Sequence, residues 1–214
     1  GLAHLLWRGC LPGLLDAPDE MVSPYLDSYI ATYIERDVRV MGDVRELSDF
    51  DRFLRLACAL TAQELNLSQL GREIGIAPAT ARHWLQVLIQ SFQWLELPAY
   101  QGNVIKRLSR RPKGHVVDTG LACTLLRIPS PEALAAHPLF GALFESFVVQ
   151  TFRKQAERLG MLPGFHHWRS GGGAEVDLVL ELDARLYPVE IKASTRLSGH
   201  DTRGLMAFRA TYPA

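Results

Sequence analysis

Two alternating runs on either side of Asp183-Ala184 constrain the fold more than any other part of the chain. Residues 175–182 (Glu-Val-Asp-Leu-Val-Leu-Glu-Leu) and 186–193 (Leu-Tyr-Pro-Val-Glu-Ile-Lys-Ala) both have strand character, and the short link between them implies an antiparallel hairpin. Strand side chains alternate between faces, so Glu175, Asp177, Val179 and Glu181 are expected on one side and Val176, Leu178, Leu180 and Leu182 on the other. In the second run Glu190 and Lys192 share a face, with Val189 and Ile191 opposite. A turn centred on Asp183-Ala184 sets Asp177 across from Glu190, with Cβ atoms about 4.5–5.5 Å apart. Two carboxylates at that range repel unless a cation neutralises them. The competing reading is the exposed charged face of an ordinary hairpin.

Glu145 is the only ionised side chain in the apolar run 139–152, which reads as helix with Phe140, Leu143, Phe144, Phe147, Val148 and Phe152. It either completes the carboxylate set or sits favourably near a helix N-terminus. Glu145, Asp177 and Glu190 are therefore candidate metal ligands, and with Lys192 they form the candidate catalytic set. Such a set suits Mg²⁺-assisted phosphodiester hydrolysis: carboxylates hold the ion, the ion acidifies a bound water, and the ammonium positions that water or stabilises charge. Arg196, Arg203 and Arg209 follow, within reach of backbone phosphates. Ser170-Gly171-Gly172-Gly173 precedes a strand and lacks a phosphate-loop pattern, so it reads as a turn. His166 and His167, adjacent in a strand, are expected on opposite faces.

Upstream the chain reads as helical. Residues 1–24 carry the turn-rich Trp7-Arg8-Gly9-Cys10-Leu11-Pro12-Gly13 and read as a connecting segment. Helices are expected over 24–41 and 48–62, the second with Phe50, Phe53, Leu54, Ala57 and Leu60 on one face. Residues 67–100 read as helix-turn-helix: Ser68 as cap, Gly75 at the left-handed turn position and Pro78 in the first turn of the next helix. That helix would bury Ala81, Trp84, Leu85, Leu88 and Ile89 and turn Arg82, His83, Gln86 and Gln90 outward, as a recognition helix requires. Residues 92–100 and 104–108 would form a wing. Arg82, His83 and Gln86, with the basic run Lys106, Arg107, Arg110, Arg111 and Lys113, are the candidate nucleic-acid contacts. A protein-binding helix beside a solvated basic loop is the alternative. Asp118 reads as a strand-end or helix-capping residue. Prolines at 129, 131 and 138 mark a boundary, which divides the chain into 1–47, 48–128 and 129–214.

Lys plus Arg equals Asp plus Glu at 23 each, so no global positive field exists and any nucleic-acid contact must be local. Cys10, Cys58 and Cys123 lie too far apart for a thiolate metal site or a disulfide framework, which suits a reducing cytoplasm. No apolar run is long enough to span a bilayer.

Tyr33-Ile34-Glu35-Arg36-Asp37-Val38, Asn66-Leu67-Ser68, Asp118-Thr119-Gly120-Leu121, Glu145, Glu175-Val176-Asp177 and Glu190-Ile191-Lys192 together resemble prokaryotic AAA+ ATPases with a C-terminal domain of unknown function. The resemblance covers nearly the whole chain. It implies an α+β protein in which a winged helix precedes a PD-(D/E)XK restriction-endonuclease-like domain, truncated before its last core strand. Val176 stands where the motif's name has proline. It further implies a P-loop ATPase domain elsewhere in the full-length protein, since no Walker A motif occurs here, and a metal-dependent nuclease acting on DNA. The alternative is a non-catalytic DNA-binding or protein-interaction module that regulates or oligomerises the attached ATPase.

Overall fold

The computed structural model of the chain describes residues 1–42, 44, 46–102, 110–194, 196, 199 and 201–213. The first segment is helical where a connector was expected. Helix α1 (Leu2–Arg8) buries Leu6 and Trp7, and the Trp7 indole donates to the Ile128 carbonyl at 3.1 Å. The turn-rich run after it is wound around Arg8, whose guanidinium donates to the carbonyls of Leu14 and Ala17 and pairs with Asp19. Seven residues are too few to display helical periodicity, which is why composition alone read as loop.

Gly9, at φ 75, turns the chain off α1 beside the Asp118 carboxylate, which accepts from the Cys10 N–H at 2.7 Å. The same carboxylate caps α7 (Thr119–Leu125) by accepting from Leu121 N–H, so Asp118 holds two helix ends together. Gly120 lets α7 pass close to α1: a Cβ there would stand 2.6 Å from the Arg8 carbonyl oxygen. Gly120→Ala should therefore lose about 1–3 kcal/mol of unfolding free energy, read from the urea midpoint at unchanged slope. An unaffected midpoint would show that α1 moves away without penalty.

The expected helix over 24–41 forms as α2 (Val22–Thr32), a π-helical stretch (Tyr33–Val38) and α3 (Arg39–Gly42). Helix α4 (Leu47–Ala59) buries the anticipated face, and Phe50 and Phe53 meet the Trp84 ring edge-on at 5.5 and 5.7 Å. In α5 (Leu67–Ile74) the cap is Asn66, not Ser68: its side chain accepts from Gln69 N–H. Gly75 is left-handed at φ 80 and Pro78 opens α6 (Pro78–Gln90), which buries Ala81, Trp84, Leu85 and Leu88 and exposes Arg82, His83 and Gln86. Strands β1 (Gln63–Glu64) and β2 (Trp94–Leu97) flank β3 (Lys113–Val116) in an antiparallel sheet. The expected wing strand at 104–108, with Lys106 and Arg107, lies outside the described residues.

Residues 129–138 are not an open linker. Their helix α8 (Pro131–Ala135) packs on α1 through Leu134, which has no exposed surface. Leu6, Leu26, Phe53, Leu88, Leu134 and Leu143 belong to one continuous core, so residues 1–47 are part of the same body as the helices that follow.

Helix α9 (Phe140–Arg158) then crosses one face of an antiparallel sheet ordered β4-β5-β6, formed by β4 (Gly164–Arg169), β5 (Glu175–Leu182) and β6 (Arg185–Val189). Helix α10 (Arg203–Thr211) covers the other face through Phe208. The whole is a mixed α/β protein, mostly helical, with small antiparallel sheets. Among the described residues no helix is long and apolar enough to cross a membrane.

A carboxylate centre closed by a lysine

The β5–β6 register is the one expected from the turn, with Leu178 opposite Val189 and Leu182 opposite Arg185. Asp183 and Ala184 both take positive φ, 50° and 58°, as a two-residue hairpin turn demands. Strand β6 ends at Val189, so Glu190, Ile191 and Lys192 lie just past the ladder.

The strict alternation expected for β5 does not hold. His166 pairs with Val179 but Trp168 with Val176, so the single residue His167 faces both Asp177 and Leu178. This bulge puts Val176 and Val179, three apart, in the same cluster with Trp168 and Phe208, while Leu178 joins Leu97, Val149 and Ile191 under α9. Asp177 therefore shares the α9 side with Leu178 rather than a face with Val179. A bulge is a common device for re-aiming one side chain, and here it aims a carboxylate at α9.

What Asp177 meets there is Lys113. Expected in an exposed basic run, Lys113 is instead 4% exposed, at the start of β3. Its ammonium lies 2.7 Å from Glu145 Oε1, 2.8 Å from Glu175 Oε1 and 3.3 Å from Asp177 Oδ1. Asp177 Oδ2 accepts from the Ile191 N–H at 3.0 Å, which ties the segment after β6 to the centre. Glu190 Oε1 pairs with Lys192 Nζ at 2.7 Å, so these two share a side as their spacing implied. Helix α10 presses on the rim: a Cβ at Gly204 would lie 1.8 Å from the Glu175 carbonyl oxygen and 3.4 Å from Glu190 Oε2.

The charges are unbalanced. Burial alone would lower the Lys113 pKa, but Glu145, Asp177 and Glu175 outweigh it and the net shift is upward. Burial pushes the Glu145 carboxyl up to about 7, Lys113 pulls against that rise, and Asp177 and Glu175 add to it. Glu175 moves the other way, because Lys113 more than offsets its burial. Glu190 is raised by burial and by Asp177, against Lys192. Glu145 Oε1 is buried with the Lys113 ammonium at 2.7 Å, and Glu190 Oε2 is buried with no hydrogen-bond partner among the described residues.

Nearby, His115 is fully buried with Nδ1 3.1 Å from the Ser146 hydroxyl, which in turn meets Thr61 at 2.8 Å. Burial, then Lys113 and His167, drive its pKa down to about 3, which favours the neutral imidazole. The two adjacent histidines diverge as expected: His166 meets Glu181, and His167 meets the Arg111 carbonyl.

Glu145, Asp177, Glu190 and Lys192 thus lie in one charged neighbourhood, with Glu175 and Lys113 added to it. As placed, they do not fit a metal ion. Lys113 Nζ fills the point that Glu145, Glu175 and Asp177 face, and among the described residues no group of three His, Cys, Asp or Glu side chains is arranged to hold a metal ion. Of the candidate nucleic-acid contacts, Arg82 and Gln86 on α6 line one groove with Arg111, whereas exposed His83 and Arg110 are not part of that lining.

The fold and this centre define a mixed α/β protein whose C-terminal sheet and the helix across it gather three carboxylates around one buried lysine. The chain belongs to the family described as domain of unknown function (DUF8612), which matches residues 1–132. Residues 140–214 match a second family, domain of unknown function (DUF4143), commonly found alongside AAA ATPase domains. The uncharacterized proteins Rv2008c of Mycobacterium tuberculosis and Mb2031c of Mycobacterium bovis are each 33% identical over 195 residues, 90% of this chain. The chain spans 43% of the length of each. No solved structure gives a significant match.

Proposed function

We propose that this chain is a DNA-binding, nuclease-like module of an AAA+ ATPase, and that it holds DNA without cutting it. The observation that carries the reading is the polar groove lined by Arg82 and Gln86, outward on α6, together with Arg111, the α5 cap Asn66 and Ser68 of α5. An exposed helix face with a cation and an amide, flanked by a second cation before β3, suits phosphate and base-edge contact in a groove of duplex DNA. The elements α4, α5, α6 and the β2–β3 pair follow the order of a winged helix, which supports the same reading. Glu96 also lines the groove, so binding rests on local rather than summed charge. The non-cutting half of the reading is supported by Lys113, whose ammonium sits among Glu145, Glu175 and Asp177 where a divalent ion would be needed.

Fluorescence anisotropy with a labelled duplex tests this. The double variant Arg82→Ala/Arg111→Ala is expected to bind about tenfold more weakly, and to reduce the slope of log affinity against log salt by about 2. Absence of binding at low salt, or affinity indifferent to both substitutions, would sink the proposal.

A second reading, a metal-dependent nuclease, is favoured by Glu190 Oε2, a buried carboxylate oxygen with no hydrogen-bond partner among the described residues. Mg²⁺- or Mn²⁺-dependent cleavage of plasmid or branched DNA that disappears in Asp177→Ala and Lys192→Ala would establish it in place of the first.

A further inference from the structure

We propose that Lys113 is the resident cation of the carboxylate centre: an ammonium contributed by the unit at residues 1–132 that permanently occupies the place a divalent ion would need in the unit at 140–214. The inference deepens the non-cutting half of the function proposed above and is independent of whether the groove on α6 binds DNA.

Three observations carry it. Lys113 is 4% exposed, so its charge has no solvent to fall back on and must be met by protein. An ammonium has three N–H donors, and Nζ has three carboxylate neighbours, Glu145, Glu175 and Asp177, at 2.7, 2.8 and 3.3 Å. Every one of those partners lies in the segment that matches the second family, while Lys113 lies in the segment that matches the first. The centre is therefore completed across the junction of two sequence families. A divalent ion such as Mg²⁺ demands oxygens at about 2.0–2.1 Å in near-octahedral array. It would have to expel an ammonium fixed to a backbone whose strand is paired on both sides, by β1 and β2. The arrangement also couples the two units: displacement of β3 relative to α9 and β5 withdraws the charge that keeps their carboxylates together.

The test is Mn²⁺ binding by isothermal titration calorimetry, without DNA, on the parent chain and on Lys113→Ala. The parent is expected to show no saturable Mn²⁺ binding at millimolar concentration. Lys113→Ala is expected to bind one Mn²⁺ at least about tenfold more tightly than the parent, and Lys113→Ala/Asp177→Asn to lose that gain. Should Lys113→Ala be unfolded without metal, recovery of its far-ultraviolet circular dichroism on adding Mn²⁺ is the same gain. Stoichiometric, Asp177-dependent Mn²⁺ binding by the parent overturns the proposal. So does a folded Lys113→Ala with no added affinity, or an unfolded one that Mn²⁺ does not restore.

Discussion

Lys113→Met is expected to lower the unfolding free energy by about 3–5 kcal/mol at neutral pH, the usual consequence of removing one partner from a buried ion network. Methionine keeps an unbranched stem of similar reach, so little packing is lost and the effect isolates the charge. What remains is Glu145, Glu175 and Asp177 facing one another without the ammonium that sits among them. Asp177 keeps the Ile191 N–H and Glu190 keeps Lys192, but neither supplies a charge between Glu145 and Asp177. Urea denaturation reads the loss as a shift in midpoint, and acidification should relieve it as the carboxylates protonate. Adding Glu145→Gln to Lys113→Met should restore part of the stability, because one of the stranded charges is gone. A loss below about 1 kcal/mol would mean that the ammonium behaves like an exposed surface ion pair.

That lysine was the part of the centre least visible in the sequence. Its partner Asp177 is 64 residues away, and Lys113 ends a run of cations, Arg110, Arg111 and Lys113, that reads naturally as a solvated strip. Alternation offered no signal either, since all four residues of the strand Lys113–Val116 are buried. The hairpin was legible because a two-residue turn leaves only one register, and that register is observed from Leu178–Val189 to Leu182–Arg185; the expected Asp177–Glu190 pair falls one step past the ladder. Glu145 was legible because a single acid in an apolar helix calls for a partner. The bulge was not, since Leu178-Val179-Leu180 breaks the alternation without locating an extra residue, and only the pairing with β4 reveals it. Helix α10, with Arg203 and Arg209 exposed on it, was likewise hidden behind arginines read as phosphate contacts, although Phe208 seals the sheet.

Glu145→Gln should make the protein more stable at pH 8, by about 1–2 kcal/mol, although it removes a carboxylate that touches Lys113. The reason lies in the balance around that carboxyl: burial raises its pKa from 4.5 to about 7, and the pull of Lys113 does not undo the rise. Between those two values the folded state holds a proton that the unfolded chain has released. Stability is therefore highest below the window and falls as pH rises through it, with a slope approaching about 1.4 kcal/mol per pH unit. Glu175, whose pKa is lowered, acts oppositely and loses its contribution only as pH falls below its ordinary range. Glutamine keeps the shape, never ionises, and leaves Lys113 with Glu175 and Asp177. Urea midpoints at pH 5, 6, 7 and 8 should accordingly decline in the parent and stay nearly level in Glu145→Gln, so that the two curves cross. If the variant is instead the weaker protein at pH 8, attraction to Lys113 exceeds the desolvation of Glu145, and the centre holds no surplus negative charge.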